Sequence, residues 1–186
     1  MSAEIEGRTA AARFREEHRL GLQPMGDLIA LIEQATGIDV AVLDAGPDEH
    51  GMTMRDPRRN TVVIGVARTQ YPMRQRSTLA HELGHVIFED WAAKDAGNLS
   101  ERTHEEVRAD AFARHVLVPV DGVSEFLGSR TSVTQAALSV IVQRFLVSPA
   151  IAAIALHQAG YIDVATKKDW MALSALDDGM PPYRED

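Results

Sequence analysis

The sequence contains no cysteine, which excludes disulfide bonds and metal sites built on thiolates. Any metal ion in this protein must therefore be bound by histidine, aspartate or glutamate. No stretch approaches the about 20 consecutive apolar residues that a membrane helix requires, and residues 1–6 lack the apolar core of a signal peptide. These absences predict a cytoplasmic protein with no membrane partner.

Positive charge is also scarce, because 19 Lys and Arg against 27 Asp and Glu give a net charge of -8. Binding to phosphate backbones requires clustered cations, so we expect no direct binding of nucleic acid. Residues 55–76 depart from this balance and carry six arginines against one acid, Asp56. The arginines are Arg55, Arg58, Arg59, Arg68, Arg74 and Arg76. A charge run is usually a solvated surface; the alternative is a docking surface for an acidic segment of a partner protein.

The 186 residues, of which 45% are hydrophobic, allow one domain of ordinary size or one domain with a small helical annex. Periodicity, capping residues and turn residues predict a mixture of helices and strands. Helices are expected at 8–20, from Asp27 to Gly37, at 72–92 and from Thr103 to Pro119, and strands at 38–42, 51–55 and 60–66.

Residues 81–85 read His-Glu-Leu-Gly-His, the H-E-x-x-H pattern of zinc peptidases. On an α-helix, residues four apart differ by about 40° around the axis and about 6 Å along it. His81 and His85 can therefore bind one ion, whereas Glu82 points about 100° away from His81 and would act on a water molecule. The apolar stripe of this helix excludes both histidines, which argues against a purely structural role for them. Its members are Leu79, Leu83, Val86 and Ile87.

A second helix offers the third metal ligand. Thr103 is a good N-cap, and Glu106 could complete a capping box with it. Glu106 and Asp110 lie one turn apart beside a buried stripe, where an unpaired carboxylate is costly. We therefore expect Glu106 to bind the metal and Asp110 to accept the N–H of a ligand histidine. Glu105 is the rival ligand, and a capping role alone is the alternative for Glu106.

Several segments of the chain resemble the ImmA/IrrE family of metallopeptidases. The resemblance rests on residues 76–88 around the H-E-x-x-H pattern, on Glu106-x-x-Ala109-Asp110-x-Phe112-Ala113, and on Leu117-Val118-Pro119. Members commonly have Asn where this chain has Asp110, and an Asp accepts from an imidazole N–H equally well. The resemblance implies a zincin-like α+β fold, a small sheet packed on the H-E-x-x-H helix, and a site-specific endopeptidase. Its expected substrate is a helix-turn-helix transcriptional repressor, cut during stress or mobile-element induction.

The chain is expected to comprise a zincin-like domain at 1–120, a helical subdomain at 121–165 and a mobile acidic tail at 166–186. Residues 131–165 have the outline of a helix-turn-helix, with Thr131 or Ser132 as the first cap and Ser148-Pro149 starting the second helix. Because this segment has almost no cations, we expect it to complete the core or to contact a protein partner, without binding DNA.

The expected mechanism places zinc on His81, His85 and Glu106, with Glu82 as general base. Mn²⁺ or Fe²⁺ could also occupy such a site. Oxyanion donors could come from Tyr71, His104, His115, His157 or Tyr161, and substrate docking from Arg58, Arg59, Tyr71 and Tyr161. Two alternatives are a binding protein of the same fold that sequesters a repressor without cutting it, and a structural metal protein.

Overall fold

The computed structural model describes residues 2–44, 51–56, 58–59, 61–90, 103–130 and 133–173. Within these ranges the chain forms eight α-helices and three β-strands. In chain order they are α1 Ala3–Glu17, α2 Leu28–Thr36, β1 Asp39–Leu43, β2 Gly51–Asp56, β3 Thr61–Ala67, α3 Pro72–Ile87, α4 His104–Leu117, α5 Val120–Leu127, α6 Gln135–Phe145, α7 Pro149–Gln158 and α8 Val164–Met171.

The three strands form one sheet in the order β1-β3-β2. β1 pairs with β3 in parallel, and β2 pairs with β3 antiparallel, with Thr53 opposite Ile64. Successive side chains alternate between the two faces of a strand. Ile64 of β3 points into the core and is fully buried. Met52 and Met54, the neighbours of Thr53 on β2, point to the opposite face of the sheet and are about half exposed.

α3 is central to the fold, because it packs against β2 and β3 on one side and against α4 on the other. α4 in turn packs between α3 and α1. Two glycines permit these close approaches: a Cβ at Gly84 of α3 would lie 3.1 Å from Ala109 Cα, and one at Gly7 of α1 would overlap the Arg108 carbonyl oxygen. The predicted α+β class, with a small sheet packed on the helix that carries the two histidines, is confirmed.

The caps explain where the helices differ from prediction. Ser2 accepts a hydrogen bond from Ile5 N at 3.4 Å, so α1 begins at Ala3 and ends at Glu17, whereas the sequence predicted 8–20. The expected limits of α2 are confirmed, since Asp27 caps its start and Gly37, at φ 70°, follows its end.

α3 ends at Ile87 and not near residue 92 as predicted. The chain leaves the helix through Glu89, which has φ 57°. Glu89 N donates to Val86 O at 3.1 Å, and Asp90 N donates to His85 O at 2.9 Å. This is the hydrogen-bond pattern of a Schellman motif. It was not foreseen because glycine, which usually occupies the left-handed position, is absent here.

α6 and α7 meet at an angle of 110° and are joined by residues 146–148, which agrees with the predicted helix-turn-helix outline. Ser148 accepts from Ile151 N at 3.3 Å, as expected of the second cap. The expected first caps, Thr131 and Ser132, lie outside the described residues, and the prediction is wrong because Thr134 precedes α6 at the cap position. None of the helices described here is long and apolar enough on its own to cross a membrane, although α6 and α7 together have the length and composition.

The segment predicted as a tail from residue 166 begins with ordered structure. Asp163 caps α8 by accepting from Thr166 N at 2.8 Å, and the helix runs to Met171. α8 packs against α7, and Trp170 lies against the core. Residues 166–171 are therefore helical, which corrects that part of the prediction; residues 174–186 lie outside the described part of the chain.

Candidate metal centre

α3 and α4 bring His81, His85 and Glu106 together, with one possible ligand atom from each residue within 4.8 Å of the others. The Nε2 atoms of His81 and His85 are 3.1 Å apart. Glu106 Oε2 lies 3.3 Å from His81 Nε2, and Glu106 Oε1 lies 3.5 Å from His85 Nε2. The residues predicted to share a metal ion thus face one point between the two helices.

These separations suit a small divalent ion. Ligand bonds of about 2.0–2.2 Å in a tetrahedral arrangement place the ligand atoms about 3.3 Å apart. The three observed distances fall on either side of that value. Two imidazole nitrogens and one carboxylate are also a donor set that zinc accepts. The residues present therefore fit a metal ion.

The other nitrogen of each histidine ring faces a carboxylate. His81 Nδ1 donates to Asp110 Oδ1 at 2.8 Å, which is the placement expected for Asp110. His85 Nδ1 is buried and makes no hydrogen bond among the described residues, and Asp90 Oδ2 lies 3.5 Å away. With Nδ1 directed at carboxylates, both rings present Nε2 to the centre.

Glu82 is buried between α3 and the sheet. Thr53 of β2 donates its hydroxyl to Glu82 Oε2 at 2.8 Å. A Cβ at Gly51 of β2 would lie 3.1 Å from Glu82 Oε1 and 2.5 Å from Thr78 Cγ2. The strand therefore fixes one carboxylate oxygen with a hydrogen bond and leaves space beside the other.

The rival ligand Glu105 belongs to the helix cap. The pKa of its carboxyl is lowered, first by a hydrogen bond from its own backbone N–H and then by one from the Thr103 hydroxyl. Thr103 Oγ1 also accepts from Glu106 N at 3.3 Å, so the predicted cap exists. The Glu106 carboxylate nevertheless faces the histidines. Its position therefore differs from that of a residue that only caps the helix.

Two residues of the centre were missed from the sequence. Asp90 is brought to His85 by the left-handed backbone at Glu89, where no glycine indicates such a turn. Thr53 is 29 residues from Glu82 and reaches it only through the packing of the sheet on α3. The acid shortly after the H-E-x-x-H pattern was the one available hint for Asp90.

Most of the expected oxyanion donors make their contacts outside the metal centre. Tyr161 donates its hydroxyl to Gly128 O at 2.6 Å, at the end of α5. His104 Nε2 lies 2.9 Å from Glu6 Oε2. Tyr71 precedes α3 and is ten residues from His81, hence about 15 Å along the helix axis. His157 lies in the last turn of α7.

His115 is buried and faces α1, with its Nε2 atom 3.1 Å from Glu4 Oε1. Burial lowers the pKa of His115, although the hydrogen bond and charge of Glu4 oppose this change. Burial raises the pKa of the Glu4 carboxyl, but Arg114, His115 and Gln158 together outweigh it and leave that pKa below its ordinary value. The pair therefore joins α1 to α4.

The predicted arginine surface is smaller than the sequence suggested. Arg76 is buried and donates to Gly26 O at 2.6 Å and to Met25 O at 2.7 Å, so it stabilises the fold and is removed from that surface. Arg58 and Arg59 lie in the exposed β2–β3 turn, where their backbone N–H groups donate to Asp56 Oδ1 at 2.8 and 3.3 Å.

Comparison with known proteins identifies a family and solved structures of similar fold. The family model Peptidase_M78, described as IrrE N-terminal-like domain, matches residues 33–157, which include both helices of the centre. A solved structure titled Mycobacterium tuberculosis transcriptional regulator matches with a TM-score of 0.51 and 22% identity. That match covers 80% of this chain and 45% of the regulator, so this chain spans under half of the regulator's length and the likeness concerns the fold alone. No curated protein matches.

Proposed function

Because this chain belongs to the Peptidase_M78 family, whose model covers residues 33–157 of 186, we propose that it is a zinc-dependent endopeptidase. Its substrate is a helix-turn-helix transcriptional repressor, and cleavage relieves repression in the cytoplasm. One observation carries the proposal: the candidate ligand atoms of His81, His85 and Glu106 lie within 4.8 Å of one another, and Glu82 of the same helical turn is buried.

His81, His85 and Glu106 hold the ion, and Asp110 fixes the orientation of His81 through its 2.8 Å hydrogen bond. When bound, the ion supplies Lewis-acid polarisation of the scissile carbonyl and of the attacking water. Zinc is the preferred ion for two imidazoles and a carboxylate. Mn²⁺ and Fe²⁺ are alternatives, because the same donor set accepts them.

Glu82 acts as the general base. It removes a proton from the attacking water and then delivers that proton to the amine that leaves. The Thr53 hydroxyl holds Oε2 of Glu82, so Oε1 is the oxygen available for the proton. Gly51 leaves space beside that oxygen, since a Cβ at this position would lie 3.1 Å from it.

The substrate binds as an extended segment along β2. This strand pairs with β3 on one side, and no described strand pairs with its other side. An extended peptide can add to such an edge through main-chain hydrogen bonds, and Thr53 of the same strand contacts Glu82. Arg58 and Arg59, in the turn that follows β2, then contact acidic residues of the repressor.

The main alternative is a protein of the same fold that binds a repressor without cutting it. A binding protein has no use for a buried carboxylate in the H-E-x-x-H pattern that a threonine hydroxyl orients. This placement of Glu82 favours the enzyme, because burial of a charged group is costly without function or partner.

Cleavage assays separate the two functions. The zinc-loaded protein and its Glu82→Gln variant are incubated with a helix-turn-helix repressor encoded beside its gene, and fragments are identified by mass spectrometry. We expect two defined fragments with the wild type and none with Glu82→Gln, although both bind zinc. Glu105→Gln is the matched control and should cleave normally. If both wild type and Glu82→Gln remove repressor from its operator without producing fragments, the binding function is correct.

Chelation tests the remaining alternative, a structural metal site. Removal of a structural zinc ion unfolds small domains. Here the buried core includes the apolar side chains of Phe112, Leu83 and Ile64, none of which is a metal ligand. We expect the chelated protein to lose cleavage while it keeps its helical circular dichroism signal.

A further inference from the structure

Asp90 approaches His85 through both its backbone and its side chain. Asp90 N donates to the carbonyl oxygen of His85 at 2.9 Å. Its Oδ2 atom lies 3.5 Å from His85 Nδ1, which is buried without a hydrogen bond to any described residue. The side chains of both residues are 9% exposed. The backbone turn at Glu89 thus places a carboxylate beside the one ring nitrogen of the centre that needs an acceptor.

Arg108 of α4 holds this carboxylate in place. Its Nη2 donates to Asp90 Oδ1 in a short contact, and its Nε donates to Oδ2 at 3.3 Å. Such two-point pairing fixes the plane of a carboxylate as well as its position. The guanidinium also lies 4.4 Å from the centre of the Phe88 ring. The hydrogen bond to Asp90 is the main cause that raises the pKa of Arg108.

The arrangement extends to α1. Arg108 Nη1 lies 3.6 Å from Glu6 Oε2, and Gly7 permits α1 to approach α4 at Arg108. α1 comprises residues 3–17, which precede the region matched by the family model, 33–157. A chain of charges therefore runs from α1 through Arg108 and Asp90 to His85.

We propose that Asp90 is the positioning residue for His85 and that Arg108, supported by Glu6, acts through Asp90. A histidine that binds a metal through Nε2 carries its proton on Nδ1 and is oriented by an acceptor there. Asp110 provides this acceptor for His81, and Asp90 provides it for His85. The inference rests on the proposed metal site, and it adds a role for two residues and for the first helix.

The test measures zinc affinity by competition with a chromophoric chelator, independently of cleavage. Loss of such an acceptor costs about 10- to 100-fold in affinity, and we expect this loss for Asp90→Ala. Arg108→Met should show a smaller loss, and the double variant should bind zinc as Asp90→Ala does. Arg114→Met is the matched control, since Arg114 pairs with Glu4 across the same two helices without contacting Asp90; its zinc affinity should be unchanged.

A second measurement uses only the wild-type protein, so it does not require any variant to fold. In the metal-free wild type, ¹⁵N imidazole shifts at pH 8 report which nitrogen of His85 carries the proton, and we expect Nδ1. A proton on Nε2 would overturn the proposal. The proposal is also wrong if folded Asp90→Ala binds zinc as tightly as the wild type. It is equally wrong if Arg108→Met lowers zinc affinity by the same factor in the wild type and in the Asp90→Ala background. If the wild type itself does not bind zinc, the proposed function fails, which these outcomes distinguish from failure of the Asp90 role alone.

Discussion

Gly84 of α3 lies directly against Ala109 of α4, where a Cβ on Gly84 would be 3.1 Å from Ala109 Cα and 3.3 Å from Ala109 Cβ. Gly84 immediately precedes His85 in the H-E-x-x-H pattern, and Ala109 is three residues after Glu106. The absence of one side chain therefore sets the distance between the histidines and the carboxylate that faces them.

Enlarging Gly84 should separate the metal ligands. We expect Gly84→Val to displace α4 and to lower zinc affinity at least tenfold, because Glu106 moves with its helix. Gly84→Ala should have a small effect, since alanine favours the helix by roughly 0.5–1 kcal/mol while its methyl crowds Ala109. Adding Ala109→Gly to Gly84→Ala should restore affinity. Chelator competition and thermal unfolding of the metal-free protein measure both effects, and unchanged affinity in Gly84→Val would contradict this account.

Glu106 and Glu105 form a matched pair for testing the third ligand. Glu106→Ala removes a carboxylate that lies 3.3 and 3.5 Å from the two histidine nitrogens, and we expect zinc affinity to fall by about 100-fold or more. Glu105→Ala removes the neighbouring carboxylate, which belongs to the helix cap, and should leave affinity unchanged. Equal affinities of the two variants, measured by isothermal titration calorimetry, would exclude Glu106 as a ligand.

Thr53 should affect catalysis without affecting the metal. Thr53→Val keeps the shape of the side chain but removes the hydroxyl that donates to Glu82 Oε2. A hydrogen bond to a charged group contributes about 1.5–3 kcal/mol, so we expect kcat to fall roughly 10- to 100-fold at constant zinc affinity. Thr61→Val on β3 is the control, because the Thr61 hydroxyl is exposed and contacts Arg59 O at 3.4 Å. Equal rates for both variants would remove Thr53 from the mechanism.

The sequence predicted the parts of the centre that depend on helical spacing alone. The placement of His81, Glu82 and His85 follows from residues one turn apart, and that of Glu106 and Asp110 from the same rule on a second helix. Thr53 and Asp90 depend on how the sheet packs on α3 and on a left-handed residue at Glu89. No local pattern reports those contacts, because they are determined by tertiary structure.

The same distinction applies to the fold. The limits of α2 were predictable because Asp27 and Gly37 are strong local signals. The end of α3 was not, since its Schellman motif uses Glu89 in place of glycine. The arginine run also predicted an exposed side chain at Arg76, which is wrong. Arg76 is buried against the carbonyls of Met25 and Gly26, and only the folded chain brings these groups together.

Charge reversal in the β2–β3 turn tests the docking surface. Arg58→Glu with Arg59→Glu should raise KM for the repressor several-fold and leave kcat unchanged, because the turn lies about 10–15 Å along the strand from Thr53. The effect should weaken with added salt, since exposed charges are screened. Arg8→Glu with Arg13→Glu, at two exposed positions of α1, is the control for an equal change of net charge. A KM that does not change in the double variant would exclude this turn from substrate binding.

His115 should make the stability of the protein depend on pH. Burial lowers its native pKa below the ordinary value of 6.5. As the pH falls through about 6.5, the unfolded chain therefore takes up a proton at His115 while the folded chain does not. The free energy of unfolding then decreases until the pH reaches the lowered native pKa. His115→Gln removes this proton uptake, so the variant should gain stability relative to the wild type between about pH 7.5 and pH 5.5. Urea unfolding of the metal-free proteins measures the difference at each pH; a constant difference would show that His115 takes up its proton equally in both states.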